Sequence, residues 1–287
     1  MQTEIITTNV TAQTHHPDKT AQLKKQIFDQ LREVSSDPAM FNEFIKFISR
    51  FHNYSMYNRI LIFIQRRNAS QVAGYRTWQS IGRQVKKGES GISIFAPKIR
   101  KIKPDDGSEE EICLTGFRTV SVFDYEQTAP IDPENNDIQV PSSGKLVADN
   151  PEIVYEKLKH IASNSGLQVI ETNMEFAKAG STNGKVIKIN RLTACDTKCS
   201  TILHEISHVK LQHTEDRKAI SRHVKEVEAE LTAFLVGLSI GLPKGNYEYI
   251  QSWLSEEVMT DEVIDYAIKT SDKIISMFKS TKEPAIN

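Results

Sequence analysis

His204 and His208 stand four residues apart in the stretch STILHEISHVKLQH, residues 200–213, with Glu205 between them. No other feature restricts the fold so tightly. In an α-helix, residues i and i+4 share a face, so both imidazoles can aim a nitrogen at one point, about 2.0–2.1 Å from a zinc ion. Two imidazoles cannot hold a catalytic metal alone, so another element must cross this helix and bring a further donor to the same point. Glu205 projects beside that point, where a carboxylate can act as the base for water that coordination makes acidic enough to ionise near pH 7.

The stretch KEVEAELTAFLVG offers three carboxylates, Glu226, Glu228 and Glu230. Glu226 and Glu230 are i, i+4 neighbours, and Glu228 points nearly opposite to both. The arrangement is similar to the gluzincin pattern, in which a following helix supplies a glutamate ligand and an acid four residues later steadies a histidine from outside the coordination sphere. On that pattern Glu226 is the third ligand, Glu230 the outer partner and Glu228 the reserve. His213 follows His208 by five residues, about 140° round a helix of 3.6 residues per turn, so it leaves the ligand face for a structural or surface role. His223 is read the same way. Without an ion, these side chains would form a buried polar helix pair satisfying one another. Cys195 and Cys199 have no second Cys or His pair nearby and read as core packing.

Far upstream the chain is basic. Residues 46–103 hold thirteen Lys or Arg against one acid, Glu89, a net +12 in a chain whose total is −1, so the remainder carries −13. Such separation suits a polyanion partner, because each neutralised phosphate releases counterions. Tyr54, Tyr57, Tyr75 and Trp78 alternate with Arg59, Arg66, Arg67, Arg76, Arg83, Lys86 and Lys87. Aromatic faces stack on unpaired bases and cations follow phosphates, a mixture that suits single-stranded nucleic acid better than a duplex. The competing use of Tyr57, Phe63, Trp78 and Phe95 is to fill a small core.

The pattern implies an α+β chain of two domains. Residues 1–18 are polar, lack periodicity and are expected to be disordered. Apolar residues at helical spacing begin at Lys19, a second helix opens at Asp37-Pro38, and a third runs through YSMYNRILIFIQRR. Two strands follow, ISIFAPKIRK and CLTGFRTVSVFDY, around the acidic loop PDDGSEEE. The Pro-, Asn- and Ser-rich stretch 129–149 reads as a linker between a mixed helix/sheet domain, 19–128, and a mostly helical domain with a short sheet, 150–287. In the latter, Asn183-Gly184 marks a hairpin. At 39% apolar and 25% charged the chain has a soluble, globular composition. With three cysteines, no apolar leader and no run long enough for a membrane span, it is expected to be cytoplasmic with reduced thiols.

YSMYNRILI, GYRTWQSIGRQVKKGESGISIFAPK and FRTVSVFDYEQT resemble, in order and spacing, the N-terminal domain of ArdC-like antirestriction proteins of conjugative plasmids and related mobile elements. The match covers roughly residues 20–128, with patterned positions on Tyr54, Ser55, Asn58, Trp78, Lys86, Lys87 and Gly88. The second half, with HEISH and EVEAELTAFLVGL, is similar to the zincin-like metallopeptidase domain that accompanies it in that family. The resemblance implies single-stranded DNA binding by the first domain. It also implies a zinc-dependent peptidase-like second domain using His204, His208 and Glu226, with Glu205 as base and a protein substrate. Manganese or cobalt would be accepted by the same donors. Glu230 stands where many gluzincins carry Asp. Tyr247, Tyr249 and His223 are the candidates for stabilising an oxyanion. The rival expectation is a single-stranded-DNA-coating module of plasmid transfer or replication whose metal site is structural or silent.

Overall fold

The computed structural model describes residues 19–51, 53–102, 111–132, 134, 150–175, 179–213, 217, 219–242 and 259–282. The leader 1–18, nearly all of the stretch read as a linker, and Tyr247 and Tyr249 lie outside them. Three helices open the fold: α1 (Lys19–Ser36), α2 (Pro38–Ile48) and α3 (Met56–Gln65). Asp37 caps α2 by accepting from the amides of Ala39 and Met40, at 2.8 and 3.3 Å, while Pro38 occupies the first turn where no amide is needed. Ser55 caps α3 in the same way.

Next come β1 (Val72–Gly74), α4 (Tyr75–Ser80), β2 (Arg83–Val85), β3 (Ile92–Ile102), β4 (Glu111–Asp124) and β5 (Thr128–Pro130). One sheet has the antiparallel order β1-β4-β3, and β2 pairs with β5. Pairing in the first half therefore reaches Pro130, past the boundary read at residue 128. Proline there served as a linker signal, yet it sits at the end of a two-stranded sheet, where a missing amide is tolerated.

The second half contains α5 (Pro151–Asn164), β6 (Gln168–Thr172), β7 (Gly180–Thr182), β8 (Val186–Asn190), α6 (Cys195–Lys210), α7 (Arg222–Ile240) and α8 (Asp261–Ser280). Its sheet runs β6-β8-β7, with β6 and β8 parallel and the β7–β8 hairpin turning at Asn183-Gly184, where Gly184 has φ +83°. A Cβ on Gly180 would come within 2.4 Å of Thr201 Cγ2, so glycine lets β7 lie directly against α6.

This two-domain α+β arrangement shares one buried apolar core that runs through both halves. Phe41 of α2 stacks on Phe234 of α7 with ring centroids 5.6 Å apart. Arg59 of α3 is fully buried; it donates to Ser239 Oγ of α7 at 2.7 Å and to the Tyr54 carbonyl at 2.8 Å. Asp272 of α8 accepts from the Met56 amide at 2.8 Å, and Asp265 of α8 accepts from Lys24 at 3.1 Å and from the Tyr57 hydroxyl. No helix among the described residues is long and apolar enough to cross a membrane.

Candidate metal centre

Helices α6 and α7 pack side by side, and their facing surfaces bring together His204, His208 and Glu226. Nε2 of His204 and Nε2 of His208 lie 3.0 Å apart, and Oε2 of Glu226 lies 3.4 Å from the former and 3.5 Å from the latter. A tetrahedral ion bonded at about 2.0–2.1 Å needs donors about 3.3–3.4 Å apart, so the triangle fits one small divalent ion. Among the described residues this is the one group of His, Cys, Asp or Glu arranged in this way. Glu205 lines the same cleft of about 340 Å³, together with Thr182, Gly184, Val209, His213, Arg222 and Lys225. His223 does not line it.

The electrostatics favour one positive charge among the two imidazoles and their carboxylates. Burial pulls the His204 imidazolium down, but Glu226 and Glu230 outweigh it and hold the ring up at about 10. Burial and the charge on His204 push His208 down to about 4. The hydrogen bond from His204 takes Glu226 down to about 2, while burial pushes Glu205 up from the ordinary carboxylate range.

Outside the triangle, Glu230 Oε2 accepts from His204 Nδ1 at 2.9 Å. Glu228 does not serve as a reserve ligand: it is fully buried on the other side of α7, where Arg217 and His213 occupy its carboxylate. His213 stays out of the triangle and is buried, but it reaches its place by an unexpected turn. Helix α6 ends at Lys210, and Gln212 takes a left-handed conformation at φ +59°. The Gln212 amide donates to the Val209 carbonyl at 3.0 Å and the His213 amide to the His208 carbonyl at 3.1 Å, the paired bonds of a Schellman turn. The turn folds His213 back under the helix, where its Nδ1 lies 2.9 Å from His208 Nδ1. The 140° estimate assumed a helix continuing to residue 213. A non-glycine residue in the left-handed turn left no signal that it would stop.

The cations and aromatics of the first half divide into two sets. Trp78 is 1% exposed and donates its indole N–H to the Phe123 carbonyl at 2.8 Å. Asn58 is buried and brackets Phe95, donating to its carbonyl and accepting from its amide, both at 2.8 Å. Arg83 is buried and donates to Thr128 Oγ1, with its guanidinium 3.9 Å from the Tyr125 ring. Tyr54 is half-buried and donates to the Val72 carbonyl at 2.7 Å. Arg66 bridges the buried Asp124 and the exposed Glu126. Burial and internal bonding therefore correct the expectation for Trp78, Asn58, Arg59 and Arg83: they support the fold and present no face to a strand. Arg67, Arg76, Lys86 and Lys87 are exposed, as are Tyr75 and Tyr125 close by, since Tyr75 packs edge-on to Phe123 and Tyr125 leans on Trp78. Along β3 and β4, Phe117, Ile99 and Leu114 are also exposed, beside Lys98, Arg100 and Arg118.

Comparison with known proteins gives three findings. Residues 17–123 match the family described as the N-terminal domain of anti-restriction factor ArdC. The uncharacterized Bacillus anthracis protein pXO2-81 is 21% identical over an alignment that covers 93% of this chain and 53% of that protein, so the chain spans about half the length of this curated relative. Two crystal structures of the antirestriction protein ArdC from plasmid R388 share the fold at 17% identity. The metal-free form aligns with a TM-score of 0.54 and the Mn(II)-bound form with 0.53, each over 89% of this chain and 96% of that one. Residues 17–123 are thus similar to the ArdC N-terminal domain, and the fold beyond them resembles that of ArdC from R388.

Proposed function

We propose that the chain is an antirestriction factor that binds single-stranded DNA through its first half and hydrolyses peptide bonds at a zinc site in its second. The carrying observation is the triangle of His204, His208 and Glu226, with edges of 3.0–3.5 Å beside Glu205 in one cleft. Two imidazoles and a carboxylate accept zinc, manganese or cobalt; the donor set of two nitrogens and one oxygen suits zinc, and the Mn(II)-bound ArdC structure from R388 supports a divalent ion of some kind. Only three protein donors converge among the described residues, which leaves the open position of a catalytic site in place of the closed shell of a structural one.

When bound, the ion supplies Lewis acidity toward a carbonyl oxygen and toward water. Glu205 takes the proton from the attacking water and returns it to the departing amine, and its burial raises its basicity for that task. Thr182 brings strand β7, at the edge of its sheet, to the cleft, where an extended peptide can add alongside it. Arg222, 4.0 Å from Glu226 and largely exposed, offers protons to an oxyanion. On the first half, Arg67, Arg76, Lys86 and Lys87 with Tyr75 and Tyr125 combine exposed cations and ring faces, as a sequence-tolerant strand binder requires.

Glu205→Gln tests the reading. The variant should retain stoichiometric metal and single-stranded DNA affinity while losing about 10²–10⁴-fold in peptidase rate. If its protection of DNA against restriction remains intact, hydrolysis is not how the chain acts. A wild-type protein that binds no divalent ion sinks the metal half altogether.

A further inference from the structure

The two histidine ligands are held from behind by different devices. His204 gives its Nδ1–H directly to the Glu230 carboxylate at 2.9 Å. Behind His208 no carboxylate among the described residues meets the ring; its Nδ1 meets a second imidazole, Nδ1 of His213, at 2.9 Å. His213 Nε2 lies 2.8 Å from Glu228 Oε2, and Arg217 clamps both oxygens of Glu228 at 2.5 and 2.8 Å. The inner links of this chain of bonds are buried: His213 is 4% exposed and Glu228 0%. Arg217 in turn lies over the Tyr266 ring of α8, 4.0 Å from its centroid. Lys225 ties down the turn by donating to the His213 carbonyl at 3.0 Å.

Hydrogen-bond direction runs one way along this chain. A carboxylate gripped by a guanidinium on both oxygens only accepts. His213 must therefore donate from Nε2, and a neutral imidazole that donates from Nε2 carries a lone pair on Nδ1. That lone pair can be satisfied only if His208 donates from its own Nδ1. The Nε2 lone pair of His208 is then free and faces His204 Nε2 and Glu226 Oε2, the corner where an ion would be bonded.

We infer that Arg217, Glu228 and His213 form a positioning relay that fixes the tautomer and ring orientation of His208 for metal binding. The relay rests on the reading of His204, His208 and Glu226 as metal ligands. None of its three members need touch the ion. It crosses three elements, the turn after α6, α7 and the segment carrying Arg217, so the ligand geometry is set by packing as well as by the HEISH helix.

The test uses the full chain, with Zn(II) and Co(II) as probes. In Glu228→Gln the carboxylate charge is lost and a single amide oxygen is left to accept from both His213 and Arg217, so the hold on the Nε2–H of His213 weakens. Zinc affinity should fall about 10–100-fold, the range seen when outer partners of ligands are lost. The Co(II) absorption spectrum should shift as well. His213→Leu should show the same loss. His213→Gln, which can accept from His208 and donate to Glu228, should recover most of the affinity. Nitrogen-15 spectra of the imidazoles in the Zn(II)-loaded wild type read the tautomers directly and do not depend on any variant folding: Nδ1–H on His208 with Nε2–H on His213 is expected. Wild-type zinc binding with the opposite tautomers overturns the relay alone, as does unchanged affinity and Co(II) spectrum in a folded Glu228→Gln. Failure of the wild type to bind Zn(II) or Co(II) overturns both the relay and the metal site beneath it.

Discussion

Arg59 and Glu226 are both ionisable side chains drawn from a stretch rich in their own charge, and their surroundings differ in kind. Arg59 is enclosed, with backbone carbonyls and Ser239 taking its protons, and burial lowers its guanidinium to about 10. Glu226 is half-buried at the rim of a cleft, and its nearest polar neighbours are two imidazole nitrogens, that of His204 carrying the positive charge that offsets its own. The contrast holds more widely. In the first half, Trp78, Asn58, Arg83 and Asp124 bond to backbone or to one another inside the fold. In the second, His204, His208 and Glu226 converge beside a cavity. A cluster of chemically able residues marks a site when their free ends meet at an accessible point, and marks a scaffold when each end terminates on the backbone.

The sharpest way to break that contrast is at Trp78. Trp78→Ala removes a fully buried ring and leaves the Phe123 carbonyl without its partner, so stability should drop by about 3–5 kcal/mol in chemical denaturation. Single-stranded DNA affinity per folded molecule should be unchanged; a selective loss of affinity in a protein of wild-type stability would return Trp78 to the binding face. The triple change Arg76→Ala, Lys86→Ala, Lys87→Ala should do the reverse. We expect wild-type stability, roughly ten-fold or greater weakening of DNA, and a salt slope shallower by about 0.7 for each lost phosphate contact. An unaltered slope would move the interface elsewhere, with Lys98, Arg100 and Arg118 along β3 and β4 the next cations to examine.

The smallest effect is expected where the halves meet. Burial would raise Asp265, but Lys269, Tyr57 and Lys24 hold its carboxyl below the ordinary range. A depressed carboxyl contributes stability above the unfolded value, near pH 4, and loses it as pH falls through the folded value. Asp265→Asn should therefore cost about 1 kcal/mol at pH 7 and less at pH 2. Equal destabilisation at both values would mean that packing, not charge, accounts for the contact.

Much of the fold was legible. Helical periodicity with Asp37-Pro38, alternation in β3 and β4, and Asn183-Gly184 mark elements that the structure contains within a few residues. Their signals are local, set by caps, pleats and turn geometry. The convergence of His204, His208 and Glu226, with Glu230 behind His204, was legible too, from i, i+4 spacing on one helix and the likeness of the next to a gluzincin's. Three things were not. The short α4 and β2 carry too few residues for a period to show. The destination of Arg59 depends on Ser239, 180 residues away. The role of His213 depends on a reversal at Gln212, where a glycine would have announced the turn and glutamine does not.

The seam formed by Phe41 on Phe234 and Arg59 on Ser239 also bears on how such chains can be recombined. Joining the first half of one relative to the second half of another near residue 140 would match the backbone while setting two unrelated faces together. Chimeras that fold would be those in which the aromatic pair and the guanidinium–hydroxyl contact travel together, so the unit of exchange is the surface between the halves and not the stretch of sequence that separates them.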